Sequence, residues 1–352
     1  MTSETLHRTA AAPGWLRGQA FDTTFILGTV VLALGSGTLV LIEPALFWPI
    51  LMLDLWLLGY HHVISTFTRL CFDKESFREN RFLVVQLPII VLAAVFAIAH
   101  GLGIWALTTI YLYWQWFHYT RQSWGVGQVY RRKEDKLVTE DERFLKAAFY
   151  LLPLWGILYR SWQQPEHFLG VEVWTFPVPR IAVDVVGAAA LATLALWAFG
   201  RWRMHRQGRL PIAHTTYMAS HIVIFATGYL LMEDITFGWL VINIWHNAQY
   251  VLFVWLFNTK KYDDGEAPAP GRSFIARISQ ARNWPMYFGF CLLLTFVLYQ
   301  AIAAGESWFA LVGLAPMVIL YQTINFHHYI VDSIIWKVRK PKMRETLGID
   351  HH

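Results

Sequence analysis

Cysteine is scarce: the 352-residue chain has two, Cys71 in a basic loop and Cys291 inside an apolar run. Two thiols so differently placed exclude a disulfide framework and a thiolate metal site. Charge is scarce too. Asp, Glu, Lys and Arg together make 15% of the residues, against about 25% in ordinary soluble domains. No polar stretch exceeds roughly 30 residues, too short to bury a core of its own, so a large water-soluble domain is excluded. Also missing are a Walker loop, a credible GxGxxG, an HExxH helix and a GxSxG elbow, which removes the chemistries those motifs carry. The first 20 residues hold Arg8 and Arg17 without an apolar core and small-residue cleavage site. No cleaved signal peptide is expected, and the first span directs insertion itself.

Apolar surface is abundant instead. Hydrophobic residues make 56% of the chain and the mean hydropathy is +0.37. The expected fold is all-α: a polytopic integral membrane helix bundle forming a single transmembrane domain over 1–352. Ten apolar segments of about 16–25 residues satisfy the span-length rule. They run 23–42, 45–67, 82–99, 103–124, 144–159, 181–200, 213–232, 236–257, 284–304 and 308–335. The runs are continuous rather than alternating, which argues against a β-barrel. A tail (1–20), a linker (258–282, containing "DDGEAPAPGR") and a second tail (337–352) are left outside. All 29 Lys and Arg except Arg160 and Arg180 fall in the tails, in the loops after spans two, four, six and eight, or, as Arg121 and Lys146 do, at the span ends that border those loops. The positive-inside rule then predicts ten spans with both termini cytosolic, in the cell (inner) membrane. The basic faces match anionic lipid headgroups; no nucleic-acid partner is expected.

Against this background the histidines stand out. Of 14, eight fall within spans: His61, His62, His118, His214, His221, His246, His327 and His328. With the predicted topology and a rise of about 1.5 Å per residue, all eight lie roughly 8–20 Å from the cytosolic boundary. Polar partners share their helical faces. In "INFHHYIVDSIIWK", Tyr321 precedes and Asn325, His328 and Asp332 form one stripe. Asp54 lies seven residues before His61, and Gln115 and Gln122 flank His118 at i−3 and i+4. His246 has Asn243, Gln249 and Tyr250 at i−3, i+3 and i+4. Imidazoles with one or two carboxylates suit iron, copper or zinc, and a cation stabilises Asp54 and Asp332 as anions in the membrane. The expected metal ligands are therefore His61, His62, His118, His221, His246, His327 and His328. Asp54 and Asp332 are expected as ligand or supporting carboxylates. Tyr250, Tyr321 and Asn325 orient ligands or substrate, with Gln115 and Asn243 in support. Each also has a plainer reading as a hydrogen-bonding group between helices, as does His214 near the headgroups. Arg121 is either a snorkelling end residue or a partner for a substrate carboxylate, and "WQWFHY" either packs or lines a cavity.

Eight histidines gathered toward the cytosolic side of several helices resemble those of the integral-membrane di-iron oxygenases, the fatty-acid desaturases, hydroxylases and alkane hydroxylases. The resemblance implies a di-iron centre that uses O2 to hydroxylate, desaturate or cleave a lipid or other hydrophobic substrate, with electrons from a separate reductase or ferredoxin. The pattern departs from that class in having "HH" pairs without its HxxxH and HxxHH boxes, and ten spans rather than four to six. The alternatives are a haem b or copper redox protein, a metal or proton transporter, or a non-catalytic scaffold. A transporter predicts polar residues continuing to the far side, where the chain offers Glu43, Glu233 and Asp234.

Overall fold

In hydrocarbon every backbone N–H and C=O needs an internal partner, so apolar runs of this length become helices. The computed structural model describes residues 14–263, 273–310 and 316–349. The long helices are α1 (Gln19–Ile42), α2 (Pro44–Leu70) and α3 (Phe82–Gly101), then α4 (Ile104–Lys133) and α5 (Glu142–Gln163). They continue with α6 (Arg180–Arg206), α7 (Ile212–Ala226, running into a π-helical turn Thr227–Leu231), α8 (Ile235–Lys261), α9 (Trp284–Ala310) and α10 (Pro316–Ile335). Between α5 and α6 a two-stranded antiparallel hairpin pairs His167 with Glu172 and Phe168 with Val171.

The chain is thus a helical bundle built for a membrane. Six helices, α1, α2, α3, α6, α8 and the stretch Ala281–Gly305 within and before α9, are long and apolar enough to cross one. The other four occupy expected segments but are more polar, because α4, α7 and α10 carry the histidine stripes. The break expected at 305–307, between the last two predicted spans, is helical: α9 runs through it to Ala310. Helix α4 also outruns its expected end at 124, continuing to Lys133. The linker expected at 258–282 is shorter than that: α8 runs on to Lys261 and a short helix spans Phe274–Ile278, while 264–272 lies outside the described residues.

Helix α8 is the axis. Its most apolar stretch is 94% buried, against 17–44% for the other five membrane-length helices. It packs against α1, α2, α4 and α7, while α6 turns Ile181, Val185, Leu191, Leu196 and Phe199 outward, as a lipid-facing helix does. Asp234 caps α8 by accepting from the backbone N–H of Thr236 (2.7 Å) and Phe237 (2.9 Å), satisfying two donors that the helix start leaves free. The approach of α7 to α8 depends on Gly238, where a Cβ would lie 1.9 Å from the Gly228 carbonyl oxygen. Arg160, one of the two basic residues outside the predicted cytosolic face, is buried. It donates to the Gly228, Met232 and Glu233 carbonyls at the end of α7, where the helix dipole favours a cation. The segment after α10 is docked: Met343 and Leu347 of a short helix (Pro341–Leu347) are buried. Lys260 and Lys133 hold its end through the Leu347 and Gly348 carbonyls.

Candidate metal centre

Four helices each turn one histidine toward a common point. His62 comes from α2, His118 from α4, His246 from α8 and His328 from α10, and Asp332 stands one turn beyond His328. The ligand atoms offered by His62, His118, His328 and Asp332 all lie within 4.8 Å of one another, and all four side chains are buried. His62 Nε2 is 2.7 Å from His328 Nε2. Asp332 Oδ2 is 3.2 Å from His328 Nε2 and 3.9 Å from His118 Nε2. The His246 ring centroid is 5.0 Å from those of both His62 and His118.

The residues around this point fix which atoms face it. His62 Nδ1 donates to Asn247 Oδ1 (2.9 Å); an amide oxygen only accepts, so the Nε2 lone pair is left for the centre. Asn247 and Asn243 in turn donate to Asp54 Oδ2 (3.4 and 2.6 Å). Asn243 Oδ1 accepts from the Tyr119 hydroxyl (2.6 Å). Tyr250 stacks on the His62 ring at 3.8 Å and donates to Asp332 Oδ1 (2.6 Å). The same hydroxyl accepts from Trp336 Nε1 (2.8 Å) and meets Thr66 Oγ1 (2.7 Å). This ties down one oxygen of Asp332 and presents the other inward, the usual way in which outer groups orient ligands.

A cation fits this donor set. Asp332 Oδ2 and His118 Nε2 are buried and have no hydrogen-bond partner. Each such orphan costs about 1–3 kcal/mol, a sizeable part of a typical total stability of about 5–15 kcal/mol. Tetrahedral ligands about 2.0–2.2 Å from one ion stand roughly 3.4 Å apart, and the donor atoms here lie from 2.7 Å to at most 4.8 Å from one another.

Three expected ligands lie elsewhere. His61 donates through Nδ1 to Leu57 O (3.0 Å) and packs edge-on against Phe288. His327 donates through Nε2 to Leu83 O (2.7 Å) and stacks on Phe67. His221 uses both nitrogens, one with Ser123 Oγ (2.8 Å) and one on Phe149 O (2.9 Å). His214 meets Arg201 (3.1 Å). Adjacent residues on a helix point about 100° apart, so only one member of each "HH" pair reaches the centre. In α2 the choice follows from a π-helical turn, Leu55–Gly59. Seven α-helical residues return to the same face, which puts Asp54 over His61; the π turn absorbs one extra residue, and His62 takes that face instead.

Other expected site residues take supporting places. Asp54 is joined to the centre through Asn247 rather than touching it. The Tyr321 hydroxyl meets that of Tyr111 (3.0 Å), and Asn325 donates to the Tyr321 carbonyl (2.8 Å). Gln115 accepts from Trp239 Nε1 (2.7 Å). The sequence reading missed Tyr119, Thr66 and Trp336. Thr66 lies four residues after His62 and Trp336 four after Asp332, so the spacing that linked His328 to Asp332 also marked these two.

Two cavities border the centre through different residues. The larger, about 530 Å³, reaches His118, Asp332 and Tyr250. The smaller, about 30 Å³, is bordered by His62, His246, His328, Asn243, Asn247 and Asn325, room for about one water-sized molecule. Comparison with protein-family models, curated proteins and solved structures finds no match.

Proposed function

We propose that the chain is a membrane-embedded, metal-dependent oxidoreductase that uses O2 to oxidise a lipid or other hydrophobic substrate. The carrying observation is the convergence of His62, His118, His328 and Asp332 with two buried orphan atoms among them. Non-haem iron suits a histidine and carboxylate set with open positions; when bound, it supplies the activation of dioxygen. The chain's residues do the rest. Asn247 holds the His62 tautomer, Tyr250 aims Asp332, and His246 stands beside the set as a further donor. With His61, His221 and His327 engaged elsewhere, the donor set is that of one ion, with a second iron depending on His246. Electrons come from a separate reductase or ferredoxin.

The charge pattern supports ten crossings, both termini in the cytosol and the cell (inner) membrane as the location. Two observations weigh against the rival readings. The His62 and His328 nitrogens stand 2.7 Å apart, leaving no place between them for a haem. On the far side Asp234 and Glu43 are engaged as helix caps rather than forming a transport trail.

Elemental analysis and an absorption spectrum of the purified chain test the proposal. A stoichiometric transition metal without a Soret band is expected, with metal lost in H62A and H328A and kept in H61A. Full metal content in both of the first two variants, or its absence from the wild type, overturns it.

A further inference from the structure

The larger cavity carries a second kind of information. Its wall along α4 runs from Trp114 to Arg132, 18 residues or about 27 Å of helix. At its inner end are His118, Asp332 and Tyr250; between the ends the lining includes Trp124, Val129, Phe253 and Trp336. Arg132 near the end of α4, Lys146 near the start of α5, and Lys337 and Arg339 just after α10 also line it, with Arg121 one turn from His118. The one carboxylate in the lining apart from Asp332 is Glu142, which Arg131 pairs at 3.1 Å. Among the described residues no carboxylate pairs with Arg132, Lys146, Lys337 or Arg339. Two further lining groups, Gln122 Oε1 and Gln128 Nε2, are buried without a hydrogen-bond partner. A cavity of about 530 Å³ is in the range of small-molecule sites, which run from about 300 to 1,000 Å³.

Unpaired cations at one end, an aromatic passage and the candidate metal centre at the other describe a ligand with an acidic head and an apolar tail. We propose that this cavity binds a single-chain acidic amphiphile, carboxylate- or phosphate-headed, with its head among Lys146, Lys337 and Arg339 and its tail against His118 and Asp332. The inference rests on the oxidoreductase reading for what happens to the tail, but not for the binding itself. Guanidinium and ammonium groups hold such heads by charge-assisted hydrogen bonds. A general attraction of basic loops for anionic headgroups explains surface charge, but not an aromatic-lined cavity continuous with the buried cluster. The acidic head lies away from the centre, so the tail, not the head, is the part presented to it.

The test is equilibrium binding of tritiated palmitate to the purified full-length chain in neutral detergent, with metal content measured on the same samples. Unlabelled palmitate and hexadecyl phosphate should displace the label, and hexadecanol should do so at least tenfold less well. The doubly reversed variant K337E/R339E and its milder form K337Q/R339Q should lose tenfold or more in affinity with unchanged metal. Reversal of two exposed cations on α6, R203E/R206E, should change nothing. Equal displacement by hexadecanol, undiminished binding in both mouth variants, or displacement by phosphatidylglycerol as effective as by palmitate overturns the inference; the last means a bilayer headgroup site. H62A should lose metal and keep palmitate binding. A wild-type chain that binds palmitate without metal defeats the functional reading alone, and one that binds metal without palmitate defeats this inference alone.

Discussion

Tyr250 is the residue on which most of the centre's geometry turns. Its ring stacks on one histidine and its hydroxyl holds the carboxylate. Tyr250→Phe keeps the ring and removes the donor. Metal affinity should fall about 10- to 100-fold, the usual effect of losing an orienting group, with little change in melting temperature; a chelator-competition titration reads this directly. At this scale the sequence was informative about residue types and incomplete about direction. His62, His118, His246, His328 and Asp332 could be picked out because imidazole and carboxylate are costly in hydrocarbon unless engaged. The same cost argument equally selects His61, His221 and His327, whose engagement is with backbone carbonyls and a serine. A backbone carbonyl has no signature in the sequence, so those three could not be told from ligands.

At the scale of the helix, phase decides function. Both carbonyls that bind the diverted members of the "HH" pairs, Leu57 and Leu83, belong to π-helical turns, Leu55–Gly59 and Phe82–Gln86, where the hydrogen-bond ladder changes register. Deleting Trp56, an outward-facing residue of the first turn, should remove the extra residue and leave His62 seven α-helical positions after Asp54, on the same face. The expected result is retention of bound metal in a chain that still folds, read by elemental analysis beside circular dichroism; loss of metal would mean that the π turn does not set the phase of His62. Helix positions were legible from apolar runs; π turns were not, because they follow from packing rather than from any residue pattern. Packing also sets the α7–α8 contact. Gly238→Ala forces a methyl against the Gly228 carbonyl and should destabilise the bundle by about 1–3 kcal/mol, seen as a lower melting temperature in detergent.

Across the whole molecule, the basic loops do more than report orientation. Asp73 caps a short helix (Lys74–Glu79) between α2 and α3 and accepts from Lys261 (2.8 Å), the last residue of α8, and from Tyr262 (2.7 Å) just after it. Burial alone raises its pKa, but these hydrogen bonds and one from the Ser76 N–H outweigh it and hold the carboxyl well below its ordinary value. A depressed pKa stabilises the fold at pH values above the unfolded carboxylate's pKa of about 4, and the contribution is lost as pH falls below that. Thermal melts between pH 7 and pH 3 should therefore show an acid-side loss that is smaller in Asp73→Asn, which already lacks the charge at pH 7. Topology is testable at the same scale. A fluorescent protein fused after residue 352 should fold and fluoresce if the chain's end lies in the cytosol, and the same fusion to alkaline phosphatase should be inactive.

The placement of the two cavities has a kinetic consequence. The larger borders His118 and Asp332 and the smaller His62 and His328, so on the proposed function an organic substrate in the first and O2 in the second need not displace each other. On the proposed chemistry, initial rates measured against both reactants should give intersecting rather than parallel double-reciprocal lines, and excess of one should not inhibit competitively against the other.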